Sequence, residues 1–181
     1  MHWVFSRVMW AVEVFEAHGI GCAGFEPRGS GGCAAGKLPA GADVAEAARI
    51  LAAVKAMPEH WQVVTWCMVL SRQGVDERAR LLVDWVSEEP SVVRWARWGR
   101  FGVEYMVWWW LERECGLCPP RGCGRSAAEL AEICGEGLSS ERMRQIWHES
   151  VKRVLDGWLV AAVGSLEPVC GDATRDLAVA I

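Results

Sequence analysis

Two short segments with helical spacing, joined by a glycine-bearing link, most constrain how this chain can fold. The first runs from Ser126 to Cys134 and the second opens at Leu138, with Gly135 and Gly137 between them. Glycine supplies the positive φ that a tight turn between helices often needs. Five apolar side chains recur at helical spacing and are predicted to form one small core: Leu130, Ile133, Leu138, Met143 and Ile146. The pattern therefore predicts a helix-turn-helix.

The second of these helices carries polar side chains that suit contacts with DNA bases. Ser139 or Ser140 is a natural N-cap, and the acidic partner of a capping box is absent three residues after either serine. Four residues are predicted to point away from the core: Ser140, Glu141, Arg144 and Gln145. In the major groove, arginine reads guanine, glutamine reads adenine and glutamate accepts from cytosine. The sequence favours DNA recognition, although an ordinary helical hairpin with a solvated charged face has the same pattern.

Residues 138–155 resemble the recognition helix in region 4 of primary bacterial sigma factors, which reads a promoter element. The agreement covers Leu138, Ser139, Glu141, Arg142, Arg144, Gln145, Ile146 and residues 152–155. This resemblance implies that the DNA-binding residues are Ser140, Glu141, Arg142, Arg144 and Gln145. Ser140 stands where these sigma factors usually carry arginine. Trp147 and His148 replace a small polar pair, so the outer face of the helix is a candidate partner surface.

The whole chain is similar in organisation to the Q-type transcription antiterminators of phages and prophages, in which a helical body accompanies such a module. The resemblance implies an all-α fold and binding to a double-stranded DNA element near a promoter. It also implies loading onto a paused bacterial RNA polymerase, with sigma factor and nascent RNA as further partners, and read-through of terminators. The alternative is a stand-alone repressor or activator that binds an operator as a dimer.

Hydrophobic periodicity predicts an all-α fold for the 181 residues, and no β-hairpin signal is present. Proline and glycine mark the boundaries between the predicted segments. The predicted organisation is a helical body over 1–115, a linker over 116–125, the DNA-binding module over 126–164 and a flexible tail over 165–181. The body contains a glycine-rich loop at 19–41 and five predicted helices, at 3–18, 43–57, 59–72, 76–86 and 91–115.

Charge and cysteine content bear on partners and compartment. The formal net charge is −4, which is unusual for a DNA-binding protein and favours modest DNA affinity with help from a second protein. The N-terminus lacks the pattern of a secretory leader, so the eight cysteines are expected to be reduced thiols. No sequence run approaches the about 18–20 apolar residues of a membrane span. We therefore expect a cytoplasmic protein that does not act at a membrane.

Cysteines beside the predicted linker form a candidate metal site. Cys115, Cys118 and Cys123 have the spacing of a zinc knuckle, with Cys134 or His148 as a fourth ligand. A structural zinc ion there would brace the linker. The alternative is that these are reduced structural thiols, because the chain uses cysteine freely and buried cysteine often packs as a small apolar residue.

Tryptophan and arginine alternate within the last predicted helix of the body, at 91–115. The chain has twelve tryptophans, and Trp108, Trp109 and Trp110 cover too much of a helix circumference to share one core. Most tryptophans are expected to fill a helical core. The alternative is an amphipathic platform for phosphate or polymerase contact, with candidate residues Arg94, Arg97, Arg100, Arg121 and Arg125.

No catalytic constellation is evident, and the chain is not expected to be an enzyme. Residues 19–24 and 31–37 imitate nucleotide-binding loops, but neither lies between a strand and a helix, and Leu38 stands where a phosphate-binding loop needs serine or threonine. No serine or cysteine has a recognisable base and orienting acid nearby.

Overall fold

The computed structural model describes residues 2–19, 41–70, 74–96, 100–117, 126–134 and 138–178, and the side chains of 94, 96, 100, 101, 133, 134 and 172–178 are not among the described parts. Over these ranges the chain is helical and contains no strand, which confirms the predicted all-α fold. The predicted loop at 19–41 and linker at 116–125 lie almost entirely outside the described residues.

The helices begin and end close to the predicted positions through most of the chain. They are α1 Trp3–Ala17, α2 Gly41–Ala56, α3 Glu59–Val69, α4 Val75–Glu88, α5 Pro90–Ala96, α6 Arg100–Cys115, α7 Ala127–Cys134, α8 Ser140–Ile146 and α9 Lys152–Ala178, with a π-helical turn at Trp147–Val151 between α8 and α9. Pro58 and Pro90 stand at the starts of α3 and α5, where a missing N–H costs no helical hydrogen bond.

Two compact units divide these helices. The first consists of Met1–Met57 and Val163–Ile181, and the second of Pro58–Ala162. In the first unit α1 packs along α2, with Phe5 and Val8 buried on α1 and Ile50 on α2. Arg7 forms an ion pair with Glu46 and joins these two helices.

The second unit has one hydrophobic core, to which α3, α4 and α6 contribute together with the later helices. Leu82 of α4 and Trp110 of α6 are fully buried in the same cluster as Leu130 of α7, Met143 of α8 and Leu155 of α9. The candidate DNA-binding helices thus share a core with α3–α6. This division differs from the predicted one, which separated residues 1–115 from 126–164.

The last helix extends beyond its predicted end near Val163. The chain after Gly164, which was expected to form a flexible tail, is helical as far as Ala178, and Leu166 and Cys170 are fully buried. Pro168 lies inside this helix on an exposed position, as does Gly164 one turn earlier. The carbonyl that Pro168 leaves without an N–H partner therefore faces solvent, where water can satisfy it.

One segment among the described residues, Ser140–Gly171, is long and apolar enough to cross a bilayer by length and composition alone. The expectation that no segment reaches such a length is therefore wrong for this continuous helical stretch. Several of its apolar side chains, including Val151, Leu155 and Leu166, are buried within the protein itself. Mostly buried core helices of other proteins meet the same criteria of length and composition, whereas 28% of the most apolar 18-residue window of this segment is buried.

Candidate nucleic-acid interface

Helix α7 begins with a complete capping box. The Ser126 Oγ accepts a hydrogen bond from the Glu129 N–H at 3.2 Å, and Glu129 Oε2 accepts one from the Ser126 N–H at 2.6 Å. Each side chain thus satisfies a backbone donor that the first turn would leave open. This box was not among the features predicted from the sequence, although serine followed three residues later by glutamate is its signature.

Ser139 fixes the start of α8. Its Oγ accepts a hydrogen bond from the Arg142 N–H at 3.1 Å, so Ser139 rather than Ser140 is the N-cap. The capping-box acid is absent, as predicted, since Arg142 occupies the position that it would take. The cap sets where the helix begins and therefore which of its side chains face the core.

The inner face of α8 agrees with the predicted core of the hairpin. Leu130 of α7 and Met143 and Ile146 of α8 are buried, and Leu138 packs against them while half-buried. The side chain of Ile133 lies outside the described parts, as do residues 135–137 with their two glycines. The apolar spacing therefore predicted the inward-facing side chains correctly for the four of the five core residues whose side chains the structure describes.

The outer face of α8 presents the predicted polar residues. Glu141, Arg144 and Gln145 are exposed, and Ser140 is half-buried. The Arg144 guanidinium lies 3.3 Å from the Glu141 carboxylate, with side chains 61% and 83% exposed, and Gln145 Nε2 donates to Glu149 Oε1 at 3.0 Å. Exposed pairs of this kind contribute only about 0–1 kcal/mol. Arg144 and Gln145 can therefore exchange these partners for others at little cost.

Arg142 occupies a different position from the other candidates. It is half-buried, and its guanidinium lies over the ring of Trp95 in α5, 4.4 Å from the ring centroid. It also donates a hydrogen bond to Gln145 Oε1. Arg142 thus joins α8 to α5 at the edge of the exposed face, a contact that was not predicted from the sequence.

Trp147 points into the protein, so its predicted role on an outward partner surface is wrong. It is buried and meets Trp109 of α6 edge-on, with ring centroids 5.7 Å apart. The π-helical turn adds a residue to this part of the helix, and Trp147, Ser150 and Val151 are all buried within it. His148 remains exposed.

Polar side-chain contacts attach α9 to α6. The Trp110 indole N–H donates to Asp156 Oδ1 at 3.0 Å. Lys152 pairs with the same aspartate and lies 3.9 Å from Glu114 Oε1. Trp110 is fully buried while Trp108 and Trp109 are half-buried, which agrees with the prediction that the three could not share one core.

The other predicted contact residues cannot be placed relative to this face. Arg94 and Arg100 belong to α5 and α6, but their side chains lie outside the described parts. Arg97, Arg121 and Arg125 lie outside the described residues altogether. Their contact with phosphate or polymerase stays a prediction.

The predicted zinc ligands are only partly placed. Cys115 is half-buried, with its Sγ 3.3 Å from the Met68 Sδ, while Cys118 and Cys123 lie outside the described residues. Within the part of the chain that the structure describes, no three histidine, cysteine, aspartate or glutamate residues gather as a metal site. Cys67, Cys115 and Cys170 are free thiols.

Helix α8 therefore combines a fixed N-terminus, a buried inner face and an outer face of exchangeable polar groups. No protein-family model, curated protein or solved structure matches the chain. We therefore infer what this face of α8 can bind from its own side chains.

Proposed function

We propose that this protein is a sequence-specific DNA-binding transcription factor that loads onto RNA polymerase near a promoter and promotes read-through of terminators. The observation that carries the proposal is the placement of Glu141, Arg144 and Gln145 on the solvent side of α8. The opposite side of the helix is held by the Ser139 cap and by buried Met143 and Ile146. The resemblance to sigma region 4 and to Q-type antiterminators supplies the step from DNA binding to polymerase.

The size and chemistry of α8 suit the major groove. The groove is about 12 Å wide, which admits one α-helix, and recognition helices contact base edges with residues near their N-termini. Arg144 can donate two hydrogen bonds to guanine, and Gln145 can pair with adenine. Glu141 can accept from the amino group of cytosine once Arg144 has turned towards a base.

The charge around α8 favours binding that needs a second protein. Arg144 lies beside Glu141, and Gln145 lies beside Glu149. The whole chain has a formal net charge of −4, so its long-range attraction to DNA phosphates is weak. A polymerase already held at the promoter can supply the missing binding energy, whereas a stand-alone operator-binding protein would have to supply all of it.

A footprinting experiment tests the proposal. DNA containing the region upstream of the protein's own coding sequence is incubated with the full chain, with and without bacterial RNA polymerase holoenzyme. We expect one protected element beside the promoter, strengthened by polymerase and absent with Arg144→Ala. The matched control is Arg80→Ala, which removes an exposed arginine from α4 and should leave protection unchanged.

Other footprints would count against this function. A palindromic footprint with two half-sites that needs no polymerase would identify the dimeric repressor or activator instead. Protection that is unaffected by Arg144→Ala would show that α8 does not read the DNA.

A further inference from the structure

A series of side-chain contacts joins α5 to the exposed face of α8. Trp95 lies on α5, and the Arg142 guanidinium lies over its ring, 4.4 Å from the centroid. Arg142 Nη1 donates a hydrogen bond to Gln145 Oε1, and Gln145 Nε2 donates one to Glu149 Oε1 at 3.0 Å. The side-chain amide of Gln145 is thus contacted at both its oxygen and its nitrogen, and one of these contacts leads back to a different helix.

Arg142 is held at its backbone and at its guanidinium. Its backbone N–H donates to the Ser139 Oγ at 3.1 Å in the first turn of α8. Its guanidinium lies over Trp95, which is half-buried and packs against the hydrophobic core of the second compact unit. Val92, one turn before Trp95 in α5, is fully buried in the same core. Arg142 is therefore a better anchored partner for Gln145 than a side chain that extends freely into solvent.

The charges of the two neighbours determine which way the Gln145 amide faces. Its oxygen lies against the cationic Arg142, and its nitrogen lies against the Glu149 carboxylate. Turning the amide over would place its NH₂ group against a guanidinium, which has only donors, and its oxygen against a carboxylate, which has only acceptors. Only one orientation of the amide therefore satisfies both neighbours.

Both ends of this amide keep the capacity for one more hydrogen bond. The oxygen has two lone pairs and the nitrogen has two hydrogens, and the contacts with Arg142 and Glu149 use one of each. In the major groove adenine offers one donor, at N6, and one acceptor, at N7, whereas guanine offers two acceptors, at O6 and N7. An amide in this orientation is complementary to adenine, and its oxygen is repelled by the O6 of guanine.

We propose that Trp95 is a positioning residue for base reading, which through Arg142 orients the Gln145 amide so that α8 selects adenine over guanine at one base pair. This inference rests on the proposed binding of DNA by α8. A glutamine that is already oriented loses less side-chain freedom when it binds a base than one that samples several rotamers. A residue outside the two helices of the hairpin thus contributes to selectivity without contacting DNA.

The first test uses the free protein. NMR of the isotope-labelled full chain measures the motion of the Gln145 side-chain NH₂ group, whose signal is identified by its loss in Gln145→Ala. We expect restricted motion in the wild type and larger motion in Trp95→Leu and Arg142→Ala. Trp95→Phe keeps a ring beneath the guanidinium and should retain most of the restriction. The matched control is Trp85→Leu, which truncates another half-buried tryptophan on the same core and should leave this signal unchanged.

The second test measures selectivity for bases. The full chain and its variants bind duplexes that carry the protected element, in which each A·T pair is replaced in turn by G·C. Gln145→Ala identifies the pair that Gln145 reads, as the one whose replacement no longer weakens binding. At this pair Trp95→Leu and Arg142→Ala should lower the preference for adenine by about tenfold, whereas Trp95→Phe and Trp85→Leu should keep it. The ratio of the two affinities is compared, because lower stability weakens binding to both duplexes equally.

The outcomes separate this inference from the proposed function. Absence of specific DNA binding by the wild type overturns both. A preference for adenine that depends on Gln145, but is as strong in Trp95→Leu and Arg142→Ala as in Trp85→Leu, overturns the role of Trp95 alone. The same conclusion follows if the Gln145 NH₂ group moves equally in the wild type and in these two variants. Should Trp95→Leu fail to fold, Arg142→Ala decides.

Discussion

At the scale of single residues, the proposed reading of DNA depends on side chains that contribute little to the fold. Glu141, Arg144 and Gln145 are exposed and contact only one another and other side chains of the same helical stretch. Met143 and Ile146, which lie between them in sequence, are buried. Recognition and stability should therefore be separable by substitution within α8.

The first prediction concerns Arg144 and Gln145. Replacing either by alanine should reduce binding to the specific site by about 1–3 kcal/mol, because base-edge hydrogen bonds are lost. The melting temperature should not change, because both side chains are exposed. Fluorescence anisotropy with the specific duplex and with a scrambled one measures the effect, with Arg80→Ala as the matched control. Normal discrimination by either variant would mean that α8 is not the recognition helix.

A second prediction separates Arg142 from these neighbours. Its guanidinium lies over Trp95, so Arg142→Ala should lower the free energy of unfolding by about 0.5–2 kcal/mol. Arg142→Lys should lose less, because the ammonium group can still lie over the ring. Urea unfolding of both variants, and of Trp95→Leu with and without Arg142→Ala, isolates the pair. An Arg142→Ala variant as stable as Arg144→Ala would show that the contact adds nothing.

The sequence could predict the exposed side of α8 but not the role of Arg142. The spacing of Leu138, Met143 and Ile146 defines the inner face, and Ser139 is a recognisable cap, so the outer residues follow from local pattern. Trp95 belongs to another helix, far away in sequence. The Arg142 guanidinium comes to lie over the Trp95 ring only once α5 and α8 have packed on the same core.

At the scale of helices, the capping box stabilises the first turn of α7, the helix that packs against α8. Ser126→Ala should lower the free energy of unfolding by about 1 kcal/mol, because the Glu129 N–H loses its acceptor. Urea denaturation measures the change, and Ser165→Ala, at an exposed position inside α9, serves as the control. An equal effect of the two substitutions would show that the box does not hold α7.

Protonation of His60 in α3 should contribute to the change of the free energy of unfolding with pH. This imidazole lies among the rings of Trp61, Trp85 and Trp158, and burial lowers its pKa, with a smaller opposing effect from the Glu89 carboxylate. Because the folded pKa lies below the unfolded value of about 6.5, the unfolded chain takes up the proton first as the pH falls. The contribution of His60 is thus present above that pH and is lost as the pH falls towards the folded pKa.

Urea unfolding between about pH 5 and 8 measures this dependence. The variant His60→Phe keeps an aromatic ring among the tryptophans but cannot titrate. Its free energy of unfolding should decline less steeply with falling pH than that of the wild type. Parallel pH profiles for the two proteins would exclude His60 as a source of the dependence.

Trp147 shows that the buried face of this helix could have been followed further in the sequence. The sequence prediction put Trp147 on the outer face, but it follows Met143 by four residues, and α-helical spacing places residues four apart on the same side. In the structure Trp147 is buried against Trp109 of α6. The π-helical turn begins at Trp147 and shifts only the residues after it, and periodicity within the segment does not report that shift.

At the scale of the whole molecule, the order and limits of most helices were predictable, but their grouping was not. Proline at 58 and 90 and clear apolar periodicity mark α3 and α5 in the sequence. The flexible tail predicted at 165–181 is instead helical as far as Ala178, with Leu166 and Cys170 buried on either side of the exposed Pro168. The shared core of α3–α8 depends on contacts between residues far apart in sequence.

This grouping bears on how the proposed activity would be built. Leu130 and Met143, which support the exposed face of α8, lie in the same core as Leu82 of α4 and Trp110 of α6. Helix α8, which we propose reads DNA, is therefore part of the second compact unit and not a separate module. We expect that a fragment beginning at α7 would lack the part of this core that α3–α6 supply and would not hold α8 in its folded position.

The central claim is that the protein, loaded through α8, changes termination by RNA polymerase. The most direct measurement is in vitro transcription through an intrinsic terminator, with the protein's own upstream region as the promoter template. We predict read-through that depends on the protein, disappears with Arg144→Ala and persists with Arg80→Ala. Altered initiation with unchanged termination, or read-through that survives Arg144→Ala, would contradict it.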